Sequence, residues 1–167
     1  GDDGILRAMN RRYTAAQFLE ILDRARRRLD RPALTTDVMV GFPGETDDAF
    51  ENSLRLCRAA GFSRIHAFPF SPRPGTPAAD MPHRVPAPVV RERLARLESL
   101  ARDLSLEYNR LFLGAAVRPL IELRRDRVSG LLTGHTARYH RVLIDGPDAW
   151  KGAIIPATVR EARADHL

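Results

Sequence analysis

Apolar positions recur at helical spacing three times in the first two thirds of the chain. They are Phe18, Leu22, Ala25 and Leu29, then Phe50, Leu54, Cys57 and Ala60, then Val90, Leu94, Leu97, Ala101, Leu104, Tyr108 and Leu111. Residues three and four apart share one face of an α-helix, so the spacing predicts helices over about 15–29, from Thr46 to Gly61, and over about 87–113. Thr14 with Gln17 three positions on forms a capping-box pattern. Thr46 is placed to cap the second helix, whose first turn carries Asp47 and Asp48 where the helix dipole favours anions. Between these helices the period changes. Residues 33–40 and 63–70 are runs of β-branched and apolar residues that predict two strands, the second with Ile65, Ala67 and Pro69 on one side and His66, Phe68 and Phe70 on the other. Residues 1–14, with Arg7, Arg11 and Arg12 around Leu6 and Met9, read as an abrupt, uncapped entry.

Helix, strand, helix, strand, helix with short connections implies a parallel sheet with helices over its face. Two strands do not make such a sheet stand alone, and a strand is expected ahead of the first helix. Residues 1–113 are therefore expected to be the back half of a larger α/β domain. After Gly114 the pattern turns to short β-type runs at 117–123, 131–133, 139–144 and 154–159, separated by Gly130, Gly134, Asp145-Gly146-Pro147 and Lys151-Gly152. Strands at this density over 114–167 suggest a small antiparallel barrel or sandwich.

Composition adds a partner class. The net charge is +6, and all but one of the 27 basic residues are arginine, Lys151 being the exception. A guanidinium is a planar fork suited to phosphate, so nucleic acid is a reasonable partner; a genome biased toward arginine explains the same numbers. Arg118, Arg124, Arg125, Arg127, Arg138, Arg141 and Arg160 in the β-rich part fit either an RNA face or a solvated surface. The hydrophobic content of 44% is enough for a core. Cys57 is the lone cysteine, so neither an intrachain disulfide nor a thiolate metal site is expected, and its place in a helix suits a small apolar role. No apolar run approaches the ~20 residues of a membrane span and no signal pattern opens the chain, which leads to the expectation of a soluble, cytoplasmic protein.

Thr35 to Thr46 reads as a strand that breaks at Gly41-Phe42-Pro43-Gly44 and opens a helix. Loops at the carboxyl ends of strands are where α/β folds hold ligands, although a plain strand-to-helix turn accounts for this loop taken alone. Asp37, amid apolar neighbours, either lines a site on the strand face or is paired in the core. Ser71-Pro72-Arg73-Pro74-Gly75-Thr76-Pro77 is too rich in proline for regular structure and forms a stiff loop at the end of its strand.

Three blocks in order, Met9-Asn10-Arg11-Arg12-Tyr13-Thr14, then Thr36 through Thr46 (TDVMVGFPGET), then His66 through Ala78 (HAFPFSPRPGTPA), resemble the radical S-adenosylmethionine methylthiotransferases. Within that family the Arg-Arg-Tyr-Thr start and the Ser-Pro-Arg-Pro-Gly-Thr loop are most similar to the branch that acts on N6-threonylcarbamoyladenosine in tRNA. The resemblance implies residues 1–113 as the carboxyl-terminal portion of a partial, TIM-like radical barrel and 114–167 as a TRAM-like β-barrel that contacts tRNA. It implies methylthiolation of an adenosine next to the anticodon, with the anticodon stem-loop as partner, S-adenosylmethionine as cofactor and two 4Fe-4S clusters in the full-length parent. Cluster chemistry needs thiolate ligands, and the family's Cys-x3-Cys-x2-Cys is absent here. The expectation is thus a carboxyl-terminal fragment, missing the amino-terminal half of the same enzyme and inactive by itself, with no metal ligands and no catalytic residue of its own.

Carried over position by position, the resemblance implies Val40, Gly41, Gly44, Phe68 and Phe70 beside the adenosine part of S-adenosylmethionine. The backbone groups of Gly41 and Gly44 are then free to bond a nucleoside, and an aromatic ring is free to stack on it. Glu45 is expected to order the loop or cap the next helix. Arg73 is a candidate for a tRNA phosphate or for the carboxylate of the modified adenosine, and Arg12 serves the same end or only the surface. Two other readings stay open: a stand-alone RNA-binding module without catalysis, and a methylthiotransferase acting on a ribosomal protein.

Overall fold

A computed structural model describes residues 1–167. The chain divides into two compact units, Gly1–Ala101 and Arg102–Leu167. The break falls twelve residues before Gly114, where the change of sequence character had placed it, because the last turns of the long helix belong to the β-rich unit.

Unit one begins with a helix that the sequence does not announce. Residues Asp3–Ala8 form α1, and the Asp2 carboxylate caps it by accepting from the amides of Gly4 and Ile5 at 2.8 and 3.0 Å. The entry is therefore capped, which corrects the expectation of an uncapped start. Asp2 also accepts from the Asn52 side chain at 2.7 Å, and Asp3 accepts from the Ala15 amide at 2.8 Å. Helix α2 (Ala15–Arg28) starts on the expected capping box, with both of its bonds made between Thr14 and Gln17. Strand β1 is Thr35–Val40, helix α3 is Asp47–Ala60, and strand β2 is Arg64–Pro69. From the basic cluster at the end of α2, Arg26 turns back and donates to the carbonyls of Ala60 and Gly61, where the last turn of α3 lacks partners.

The two strands pair in parallel, with Thr35 opposite Arg64, Asp37 opposite His66 and Met39 opposite Phe68. The alternation separates two faces. Val40 and Ile65 are buried on the face that meets the core of Phe50, Leu54, Cys57, Ala60, Phe62 and Leu97. The other face is open: Thr35, Asp37, Arg64 and His66 are exposed, and Met39 and Phe68 are half-buried. Asp37 is thus neither buried nor paired in the core. The pair is a two-stranded sheet and not a closed barrel, and it leaves one face uncovered where parallel sheets are ordinarily covered on both.

Helix α4 (Ala87–Arg110) ends three residues before its expected end at 113. The amides of Leu111, Phe112 and Leu113 bond three residues back, which tightens the chain into a turn. In unit two Ser105 and Asn109 on α4 donate to the carbonyls of Ala164 and Arg163 at 2.6 and 2.7 Å. Here β3 (Ala116–Val117) pairs with β7 (Ala157–Thr158), and β4 (Leu120–Arg125), β5 (Leu132–His135) and β6 (Arg141–Ile144) form a three-stranded antiparallel sheet. The strands occur close to where the sequence places them, the first expected run being divided into β3 and β4, and they make two small sheets and not a closed barrel. Pro119 and Pro156 explain two of the interruptions, since proline has no amide to give a ladder. The third has Tyr139 in the left-handed region at φ 60° in a turn closed by Tyr139 N to Thr136 O at 2.9 Å. Asp148 gathers the neighbouring cations, taking Arg125 on one oxygen at 2.9 Å and Lys151 on the other at 2.8 Å.

Thr46 caps α3 by accepting from the Ala49 amide at 3.2 Å. Thr46→Ala is expected to lower stability by about 1 kcal/mol, read as a drop in the urea midpoint at unchanged slope.

Candidate functional site

The carboxyl ends of β1 and β2 carry the site. At the end of β1 the chain must turn sharply into α3, and it does so through Gly41 at φ 80° and Gly44 at φ 84°, a region that disfavours any side chain. A Cβ on Gly41 would lie 2.6 Å from a Val90 methyl of α4, whereas one on Gly44 would meet nothing within 4 Å. Gly41 is thus fixed by packing as well as by conformation.

Glu45 organises the loop from inside. Its carboxylate is 8% exposed and accepts from the Gly41 amide at 3.1 Å and from the Arg93 guanidinium at 2.7 Å. Arg93, 4% exposed, also donates to the Glu45 carbonyl at 3.1 Å and to the Asp47 carboxylate at 2.6 Å. Burial pushes the Glu45 carboxyl above its ordinary pKa, and the Gly41 amide and Arg93 work against that rise. The Gly44 amide donates to the His83 carbonyl at 2.9 Å, which ties the loop to the segment leading into α4.

These bonds correct one expectation. The Gly41 amide is taken by the buried Glu45 carboxylate and the Gly44 amide by the His83 carbonyl, so neither amide is open to a nucleoside. Val40 is 1% exposed and its carbonyl accepts from the Phe70 amide at 2.7 Å, so it supports the site from behind. Phe70 stands edge-on to Phe42 at 5.4 Å between centroids. Phe68 lies on the open face beside Met39 and tilts against His66 at 5.5 Å. Val40, Gly41, Phe68 and Phe70 are thus brought together. Arg73 is exposed on the loop after β2, where Thr76 donates its hydroxyl to the Arg73 carbonyl at 2.7 Å and holds a turn. Arg12 is exposed on the connection into α2, and no contact joins it to the others.

Sequence reasoning missed Arg93, His66 and Met39. Arg93 had a visible signal: it lies three residues after Val90 and four before Leu97, a charged residue inside an apolar stripe. His66 and Met39 become site candidates only through the register, which puts His66 beside Asp37 and Met39 beside Phe68 on the uncovered face.

Met39 and Phe68 form an apolar cradle on the open face, and the polar row of Asp37 and His66 behind it supplies an acceptor and an imidazole. The loop amides add nothing to that cradle. An iron–sulfur cluster does not fit these residues: no group of three or more histidines, cysteines or carboxylates is placed to hold a metal. Cys57 is buried, and burial raises its thiol to about 11, away from the thiolate a cluster needs. A separate cleft of about 580 Å³ lies within unit two, lined mainly by aliphatic residues such as Val142, Leu143 and Val159, and includes none of these candidates. No helix is long and apolar enough to cross a membrane.

Residues 1–57 match the model of the Radical SAM superfamily. Over its whole length the chain is 36% identical to a tRNA-2-methylthio-N(6)-dimethylallyladenosine synthase of Ehrlichia canis, of which it covers 38%. It is 45% identical, again over its whole length, to the protein of that name from Clavibacter sepedonicus, covering 33%, and 38% identical to that from Pelotomaculum thermopropionicum, covering 37%. The relatives carry the dimethylallyl name and not the threonylcarbamoyl one suggested by the sequence blocks. The chain therefore spans between a third and two fifths of the length of these curated relatives, and throughout that span it is similar to tRNA-2-methylthio-N(6)-dimethylallyladenosine synthases.

Proposed function

We propose that this chain is the carboxyl-terminal part of a radical S-adenosylmethionine enzyme that methylthiolates a modified adenosine in tRNA. The observation that carries the reading is the similarity over the whole chain to enzymes named for that product. An uncovered parallel strand pair, ready to complete a larger sheet, supports it. The preferred substrate is N6-dimethylallyladenosine, the nucleoside in the relatives' name. Bound S-adenosylmethionine and the parent's clusters would supply the radical and sulfur chemistry, with cluster ligands coming from sequence outside this chain.

The residues here have binding roles. Phe68 and Met39 form an apolar wall for the cofactor's nucleoside, Val40 and Phe70 back it, and the loop from Gly41 to Glu45 shapes the rim. Arg73 and Arg12 lie on the connections that would meet the anticodon stem-loop, and the unit from Arg102 to Leu167 serves as the TRAM-like RNA module. A cytoplasmic location is consistent with tRNA as substrate. A second reading, N6-threonylcarbamoyladenosine as substrate, is favoured by the sequence blocks and by the exposed Arg73, whose fork matches a carboxylate.

The test is the full-length parent expressed in cells lacking the modification, with tRNA nucleosides read by mass spectrometry. The expected product is 2-methylthio-N6-dimethylallyladenosine. The threonylcarbamoyl product in its place selects the second reading, and an intact, cluster-loaded enzyme giving neither removes both. tRNA affinity is expected to fall about tenfold or more between about 50 and about 200 mM salt, as phosphate contacts do. A flat response in a filter-binding series would show that the arginine surface is not the determinant.

A further inference from the structure

We infer that Arg93 is a positioning residue for the cofactor pocket: from α4 it holds Glu45, and through Glu45 the Gly41 amide, so that the rim at the end of β1 keeps one shape. This rests on the reading above, in which that rim walls the S-adenosylmethionine site.

Stability alone does not account for the arrangement. A guanidinium 4% exposed and a carboxylate 8% exposed both lose hydration, and an apolar side chain of similar volume in place of Arg93 would fill the same space without that cost. The geometry is what an apolar residue cannot supply. One nitrogen of the fork reaches the Glu45 carboxylate at 2.7 Å and the Glu45 carbonyl at 3.1 Å, and the other reaches Asp47 at 2.6 Å. Arg93 thereby grips the chain on both sides of the point where loop becomes helix. The same Glu45 oxygen accepts from the Gly41 amide at 3.1 Å, which completes a continuous line from α4 to the end of β1. One helical turn earlier Val90 closes the space over Gly41. Helix α4 therefore fixes the loop twice, by contact at Val90 and by directed hydrogen bonds at Arg93. A lysine keeps the charge but has no fork with which to span three acceptors.

Arg96 is the matched control. It lies three residues along the same helix, stacks on the same Phe50 ring at 5.2 Å against 5.5 Å for Arg93, and pairs with Glu51, but makes no contact with the loop.

The experiment uses the full-length, cluster-loaded parent and compares wild type with Arg93→Met, Arg93→Lys, Glu45→Gln and Arg96→Met. Equilibrium binding of S-adenosylmethionine is the first readout, and KM and kcat for tRNA modification are the second. Arg93→Met is expected to weaken cofactor binding about tenfold or more while kcat at saturating cofactor changes far less, since a displaced rim weakens binding before chemistry. Arg93→Lys should lose affinity to an intermediate degree. Glu45→Gln, which keeps an acceptor but loses the charge that Arg93 meets, should also fall between wild type and Arg93→Met, whereas Arg96→Met should stay within about threefold of wild type. Wild-type cofactor affinity in a folded Arg93→Met, or an equal loss in Arg96→Met, overturns the inference. If Arg93→Met does not fold, Arg93→Lys decides, and wild-type affinity there overturns it. A wild-type parent that binds no S-adenosylmethionine overturns the proposed function itself and the inference with it, whereas a normal wild type with a silent Arg93 variant removes the inference alone.

Discussion

Gly41→Ala is expected to destabilise unit one by about 2–4 kcal/mol, while Gly44→Ala costs only about 1–2 kcal/mol. Both glycines sit at nearly the same positive φ, 80° and 84°, so the conformational cost of a side chain is shared. The difference is space. A Cβ on Gly41 would lie 2.6 Å from a Val90 methyl on α4, and either the helix or the loop must give way; nothing faces Gly44 within 4 Å. Pairing Gly41→Ala with Val90→Ala should recover the steric part and leave the conformational part, which is the pattern a double-mutant cycle isolates. Circular-dichroism melts supply the measurement. Equal losses at Gly41 and Gly44 would mean that α4 does not press on the loop.

Unit two is expected to lose about 2 kcal/mol between pH 7 and pH 5 because of His140. Its ring is 8% exposed, lies 4.5 Å from the Phe112 ring and 5.2 Å from that of Tyr108, and leaves Nε2 without a partner. Burial, with Arg138 adding to it, lowers the pKa from 6.5 to about 4. Above the unfolded value both states are neutral and the contribution is complete. As pH falls from about 6.5 toward 4, the unfolded chain takes up a proton that the folded one refuses, and stability is lost through that window. Trp150, the only tryptophan, belongs to unit two and reports its unfolding by fluorescence. His140→Phe should flatten the pH dependence of the urea midpoint between pH 7 and 5 whatever its effect at neutral pH. A variant as acid-sensitive as wild type would place the effect elsewhere.

How much of this was legible in the sequence depends on how far apart the interacting residues lie. The capping box at Thr14 and the cap at Thr46 are local, and helices begin beside both. Strands β1 and β2 were legible from their runs of β-branched and apolar residues, and the glycines marked the loop between β1 and α3. The state of that loop was not legible, because it is set by Arg93, 48 positions beyond Glu45, and by Val90 and His83. Free backbone groups at the glycines were a fair expectation from the loop alone; the partners that occupy their amides are held by α4 and by the segment before it, whose docking no local pattern states. Helix α1 was missed for a different reason. Its six residues are too few to show a period, and its cap, Asp2, is followed by Asp3 and Gly4, which read as a turn. In unit two the prolines that cut the predicted runs were visible, but they count only against a known pairing, as with Pro119 between β3 and β4.

The bond between Lys151 and Asp148 bears on how this protein can be regulated and handled. It engages the only side-chain amine in the sequence. Acyl transfer to lysine therefore has one poorly available target, and amine-directed labels or cross-linkers will report little about the surface. The remaining positive charge is guanidinium, which stays protonated into strongly alkaline solution. Neither a rise in pH nor acetylation can remove that charge, and ionic strength is left as the variable that screens it.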